Sequence, residues 1–212
     1  MNVLAAPFLY VMPSELEAFD CFCAFIETCC PTYVQPALAG VHRGLEVRAR
    51  RGGRTHTHAR LLKRARASLQ LLERCLEMAD ASLAMHLRNH KLTAELYAFP
   101  CASFRVAHTH AAALTPRPPA VLTLCACTPP LPQLLALWDY LLAFGAHLCI
   151  PCIVAQLLLM RDDLMQSQHP MRLLRHFPDL DAQSVIGIAT TLVRDVDDGL
   201  YDELVQHTLA LA

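Results

Sequence analysis

Leu134 to Met160 is a nearly continuous apolar run, long enough to cross a bilayer as one helix. Such a run must be buried, either in lipid or inside a protein core, and the choice between them sets the class of fold. The run carries Asp139, His147 and Gln156 and is interrupted by Gly145 and Pro151. A carboxylate is costly in hydrocarbon, and Gly and Pro break helical continuity. The pattern therefore favours two consecutive buried helices of about 12 residues each over a membrane span.

The rest of the chain agrees with a helical core. Its 212 residues suffice for one ordinary domain or a large piece of one, with 54% hydrophobic and only 17% charged residues. Leu and Ala dominate and both favour helices. Ser14, with Glu17 three residues on, has the spacing of a capping box ahead of a helix from Glu15 to Cys29. Leu16, Phe19, Cys23 and Ile26 mark one side of that helix as its apolar face. A weaker helical piece runs from Gln35 to Glu46. Leu72, Leu76, Leu83 and Leu87 recur at helical intervals around Asp80, which is placed to cap a new helix over Leu83 to Leu92. Further helices are expected at 133–144, 149–165, 181–194 and 198–207. Asp179 and Asp181 stand where the third of these begins, and Asp197 or Asp198 where the fourth does.

Two segments do not fit. Val47 to Gln70 holds eight of the eighteen Lys and Arg and no acid. Ala102 to Ala120 holds two Arg, no acid, and Pro116, Pro118 and Pro119. The remaining chain has eight basic residues against nineteen acidic ones, so its body lacks the positive face a nucleic-acid binder carries. Both segments contain Thr-His repeats, RTHTHA at Arg54–Ala59 and AHTHA at Ala107–Ala111, as a CA-dinucleotide repeat would encode. Codons for Val47 and Gln70 can supply a splice donor and acceptor. We read both as translated introns; the alternative is low-complexity loops. Either way they are expected outside the packed core, apart from a short helix near Leu61 to Leu71.

The ten Cys lie within apolar helical patterns and behave there as small hydrophobes, which fits a reducing cytosolic setting. Cys149 and Cys152 form a CxxC with no second pair at zinc-finger spacing, and core packing is the expected role. His56, His58, His108 and His110 form short tracts that only weakly suggest metal. No HExxH, P-loop or GxGxxG occurs, so no metal, nucleotide or other cofactor site is expected.

With the two segments set aside, the text resembles the TBC domain of Rab GTPase-activating proteins. Met1–Tyr10 (MNVLAAPFLY) is similar to the stretch that follows the family's YxQG motif. Leu131–Ile150 (LPQLLALWDYLLAFGAHLCI) resembles the motif around Trp-Asp. His169–Asp181 (HPMRLLRHFPDLD) and Asp197–His207 (DDGLYDELVQH) resemble its C-terminal helices. Glu95–Cys101 (ELYAFPC), joined to Val121 onward, is similar to the GTPase-activating subunit of the mitotic-exit or septation checkpoint. The resemblance implies an all-α fold, the C-terminal portion of a TBC domain over 1–212, truncated at its N-terminus, with 47–70 and 102–120 as insertions foreign to the family. It implies a small Rab-like GTPase as partner, a scaffold subunit beside it, and a cytoplasmic protein recruited through partners to spindle poles or membranes. The family works by two inserted side chains, an Arg in IxxDxxR and a Gln in YxQ. The resemblance places both upstream of Met1; Gln35, Gln133, Gln156 and Arg43 do not match either motif. The family-motif residues that do match are Asn2, Trp138, Asp139, Arg175 and Pro178.

Trp138 is expected to fill the core, with Asp139 tied to a backbone or Arg partner in a network with Arg175 and Asp179, because an isolated buried carboxylate is costly. Arg161, beside Asp162 and Asp163, reads as a solvated helix end. Val3, Leu4, Phe8 and Leu9 are expected to lack packing partners. The rival function is a non-catalytic helical scaffold that binds a partner subunit or GTPase without accelerating hydrolysis; a membrane protein built on Leu134 to Met160 is the weaker third reading.

Overall fold

The computed structural model describes residues 2–29, 56–94, 124–126, 128–174 and 177–209. The fold is all-α. The helices are α1 (Asn2–Val11), α2 (Glu15–Cys29), α3 (His56–Ala79), α4 (Ala81–Asn89), α5 (Leu131–Phe144), α6 (Cys149–Leu159), α7 (Arg161–Gln166), α8 (Pro170–Leu174), α9 (Ala182–Asp195) and α10 (Asp198–Leu209), with one 3₁₀ turn at Ala146–Leu148. The expected helix at Gln35–Glu46 and the whole of Ala102–Ala120 lie outside the described residues.

The long apolar run divides as its breaks dictate. α5 ends at Gly145, whose φ of 120° suits glycine. A Cβ there would also meet the His147 ring at 2.5 Å. After the 3₁₀ turn, α6 is buried at every residue from Cys149 to Leu157. A helix apolar all round needs neighbours all round, and α6 has them: it packs against α9 and α3 and sits at the centre of the molecule. Among the described residues no helix is long and apolar enough to cross a membrane. The expected single helix over 149–165 is instead two, α6 and α7, divided at Met160.

Side-chain caps hold the helix starts. The Ser14 Oγ accepts from the Glu17 N–H at 3.3 Å. The Glu17 carboxylate accepts from the Ser14 hydroxyl at 3.0 Å. Asp80 accepts from the Leu83 N–H at 2.9 Å and starts α4. Asp181 accepts from Ser184 at 3.2 Å, and Asp197 from Leu200 at 2.9 Å. Each satisfies a donor that has no partner within its helix.

Two expectations about burial need correction. α3 runs without a break from His56 through the join expected at Leu71, and within the basic segment Ser68 and Leu69 are buried in the core. The last turn of that segment therefore carries packing that the charge pattern hides. Leu4 and Phe8 were expected to be left bare, but both are buried, whereas Leu9 is exposed. α2 folds back along α1 and covers them.

Candidate functional site

In α5, Leu134, Leu137, Trp138 and Leu141 face inward, three and four residues apart. Trp138 is 3% exposed. Its ring meets Phe8 edge-on at 5.7 Å and Phe25 at 5.4 Å, and Phe8 in turn contacts Phe22 at 5.8 Å. One indole thus joins α1, α2 and α5, with tilted and edge contacts that suit aromatic quadrupoles. Its Nε1–H donates to the Leu124 carbonyl at 2.9 Å. Leu124 and Cys125 both have left-handed backbones, with φ of 48° and 61°, and both are buried. Such a conformation costs an L-residue about 1–2 kcal/mol; burial and the indole bond offset it.

Asp139 is exposed, and no ion pair involves it among the described residues. The expected buried, tethered carboxylate is not what α5 presents. One residue along a helix is a rotation of about 100°, so a Trp pointing at the core turns its successor outward. Arg175 lies outside the described residues. Pro178 and Asp179 are exposed, beyond the short helix α8. Asn2 begins α1. The structure therefore brings Trp138 into the core and leaves Asp139 and Pro178 on the surface.

The links between the family-like helices come from residues that carry no motif signal in the sequence. The Gln133 Oε1 accepts from the Ala182 N–H at 2.9 Å and so ties the first turn of α5 to the first turn of α9. Tyr140 and Thr190 share a hydroxyl contact at 3.3 Å between the same helices. Burial raises the Tyr140 pKa. Tyr201 of α10 stands edge-on to His147, whose pKa is lowered by burial. Arg74 pairs with Glu203 at 2.5 Å across α3 and α10, both half exposed, so the pair contributes little.

Arg161, Asp162 and Asp163 do form a largely solvated helix start, but Arg161 is also tied to another helix. It pairs with Asp80 and also reaches the Ser82 hydroxyl at 3.3 Å, which joins the start of α7 to the cap of α4. Burial works against the Asp80 charge. Bonds from Ser82, the Leu83 N–H and Arg161 outweigh it and hold the carboxyl down at about 2. Asp80 was legible as a cap; its cation, 81 positions away, had no local signal.

Cys75, Cys125, Cys149 and Cys152 are core residues. Cys149 and Cys152 are buried, and burial pushes the Cys152 thiol up to about 12 and Cys75 up to about 11. At those values the thiolate, which is the nucleophile and metal ligand, is scarcely populated near neutrality. Cys125 and Cys149 lie 3.7 Å apart, sulfur to sulfur. Among the described residues no cluster of three His, Cys, Asp or Glu could hold a metal ion. What the arrangement offers chemically is a set of surfaces held by a stiff core.

No protein-family profile and no solved structure matches the chain. Curated proteins are similar to nearly all of it. "Cell division control protein 16" of Schizosaccharomyces pombe is 36% identical over 207 residues, which are 98% of this chain and 55% of that protein. "Mitotic check point protein BUB2" of Saccharomyces cerevisiae is 32% identical over 207 residues, 98% of this chain and 54% of that protein. The chain thus spans about half the length of the curated relatives it matches, and its likeness is to proteins of cell division and its checkpoint.

Proposed function

We propose that this chain is part of a TBC-type GTPase-activating domain that acts on a small Rab-like GTPase in a cell-cycle checkpoint, in the cytoplasm and beside a scaffold subunit. The observation that carries the reading is its likeness, over 98% of its length, to a cell-division control protein and a mitotic checkpoint protein. The all-helical fold and the inward Trp138 of the Trp-Asp motif support it. On this reading Trp138 anchors the domain, while Asp139, Arg175 and Pro178 serve a surface near the partner. Asn2 supports the loop that carries the Gln finger.

Hydrolysis by such a domain depends on an Arg that meets charge growing on the phosphoryl oxygens and a Gln that positions water. An Arg finger is worth about 10³–10⁵ in rate in related systems. No residue of this sequence stands in the family's context for either finger, so the expected outcome is that this chain alone gives no stimulation. The test is single-turnover GTP hydrolysis with a panel of Rab-like GTPases. It compares this chain with one that carries the family's finger-bearing segment ahead of Met1 and lacks 47–70 and 102–120. Stimulation by the lengthened protein alone supports the reading. Equal stimulation by both overturns the assignment of the fingers. A folded lengthened protein that binds the GTPase without stimulating it supports the scaffold reading instead.

A further inference from the structure

Helix α2 has two apolar faces, and only one is used. Ala18, Phe25 and Ile26 are buried, and Phe25 meets the Trp138 ring. Leu16 and Phe19, three residues apart on the other side, are 70% and 63% exposed. The stripe that the sequence marks as the inward face, Leu16–Phe19–Cys23–Ile26, is therefore inward only at Ile26. At the adjoining end of α1, Leu9, Tyr10 and Val11 are more than half exposed as well. Soluble monomers seldom leave clustered large apolar side chains open unless something binds there.

The charge around this face selects among occupants. Every Asp, Glu, Lys or Arg from Met1 to Val41 is acidic: Glu15, Glu17, Asp20 and Glu27. All four are exposed, and none forms an ion pair among the described residues. Asp20 lies four residues beyond Leu16, and Glu15 four before Phe19, so carboxylates flank the open stripe. An anionic lipid surface would be repelled. A second copy would set carboxylates against carboxylates. An amphipathic helix with apolar anchors and a Lys/Arg rim meets both needs, since apolar anchors supply affinity and complementary rim charge supplies rate and register.

We propose that the Leu16–Phe19 face of α2 docks a basic-rimmed amphipathic helix of a partner protein. The site lies apart from the Trp-Asp motif and does not depend on the GTPase reading. The probes are two synthetic helical peptides of roughly 18 residues, long enough to hold a helix, with one leucine face and either a lysine or a glutamate rim. Fluorescence anisotropy should show the full chain binding the lysine-rimmed peptide in preference to the other, more weakly as salt rises. Leu16→Ser with Phe19→Ser, both at exposed positions, should weaken binding at least about tenfold, or 1.4 kcal/mol. Asp20→Lys with Glu27→Lys should shift preference to the glutamate-rimmed peptide. Circular dichroism checks that both variants keep the parent's helix content. Equal binding of the two peptides, or binding of neither, overturns the proposal. So does self-association on sedimentation that Leu16→Ser with Phe19→Ser abolishes, which would give the face to a second copy. Flotation with phosphatidylserine–phosphatidylcholine vesicles that the same substitutions abolish would give it to a membrane. Loss of peptide binding in the lengthened protein would give it to the preceding segment of the same polypeptide; each of these overturns the assignment.

Discussion

At Trp138 one side chain does work that three helices depend on. Truncation to Ala removes the contacts to Phe8 and Phe25 and leaves the Leu124 carbonyl, itself buried, without its indole donor. The expected cost is about 3–5 kcal/mol, read from urea unfolding. An unchanged midpoint would show that the cluster does not hold α1 and α2. Asp80 gives a test in pH. Its folded pKa, about 2, lies below the ordinary 3.8, so its charge stabilises the fold above about pH 4 and the contribution fades as pH falls from 4 to 2. Asp80→Asn keeps a capping oxygen and removes the charge. It should cost about 1 kcal/mol at pH 7, in the range of caps and exposed pairs, and progressively less as pH falls through and below about 2; a cost independent of pH would assign the effect to the cap geometry alone. His147 has the opposite acid-side origin. Burial lowers its pKa, so the folded state holds it neutral while the unfolded chain takes up a proton below its ordinary value of 6.5. Stability should fall as pH drops through that value, and His147→Gln should flatten the slope of unfolding midpoint against pH there.

At the level of elements, endings are as informative as faces. Helix α4 closes with the Leu92 N–H donating to the Leu87 carbonyl and the Lys91 N–H to that of Arg88, both at 2.9 Å. That is a Schellman ending, and it puts Lys91 at φ 56°, where glycine is favoured. Lys91→Gly should raise the unfolding free energy by up to about 1 kcal/mol through relieved left-handed strain; a loss of stability would mean that the Lys91 side chain has a packing role. Helix α2 teaches a different point. Its periodicity has two apolar solutions, one through Leu16, Phe19, Cys23 and Ile26 and one through Ala18, Phe22, Phe25 and Ile26. A periodic pattern shows that a face is apolar and does not say which neighbour will cover it.

Across the whole molecule, α6 is the hub and its surroundings are assembled from distant parts of the chain. α3 supplies one wall, and that wall includes Ser68 and Leu69, inside the basic segment. Deleting 47–67 should therefore leave a more stable protein than deleting 47–70, by about the 1.5–3 kcal/mol that burying Leu69 contributes. Equal melting midpoints for the two deletions would show that Leu69 is dispensable and that the packed helix begins at Leu71.

Much of this architecture is legible without coordinates. The apolar run with its Gly and Pro breaks, the caps at Ser14, Asp80, Asp181 and Asp197, and the buried Leu72–Leu76–Leu83–Leu87 series all follow from interactions within a few residues of each other, where helical geometry is the only unknown. Trp138 as a core residue follows as well, because so large an apolar surface has few other places to go. What needed the tertiary structure were the choices between equivalent local solutions and the pairings across the chain: the inward face of α2, the outward Asp139, the bond between Arg161 and Asp80, the bridge from Gln133 to Ala182, and the burial of Ser68 and Leu69. Each depends on where another helix lies, and the position of that helix is set by the packing of the whole core around α6, which no local stretch of sequence encodes.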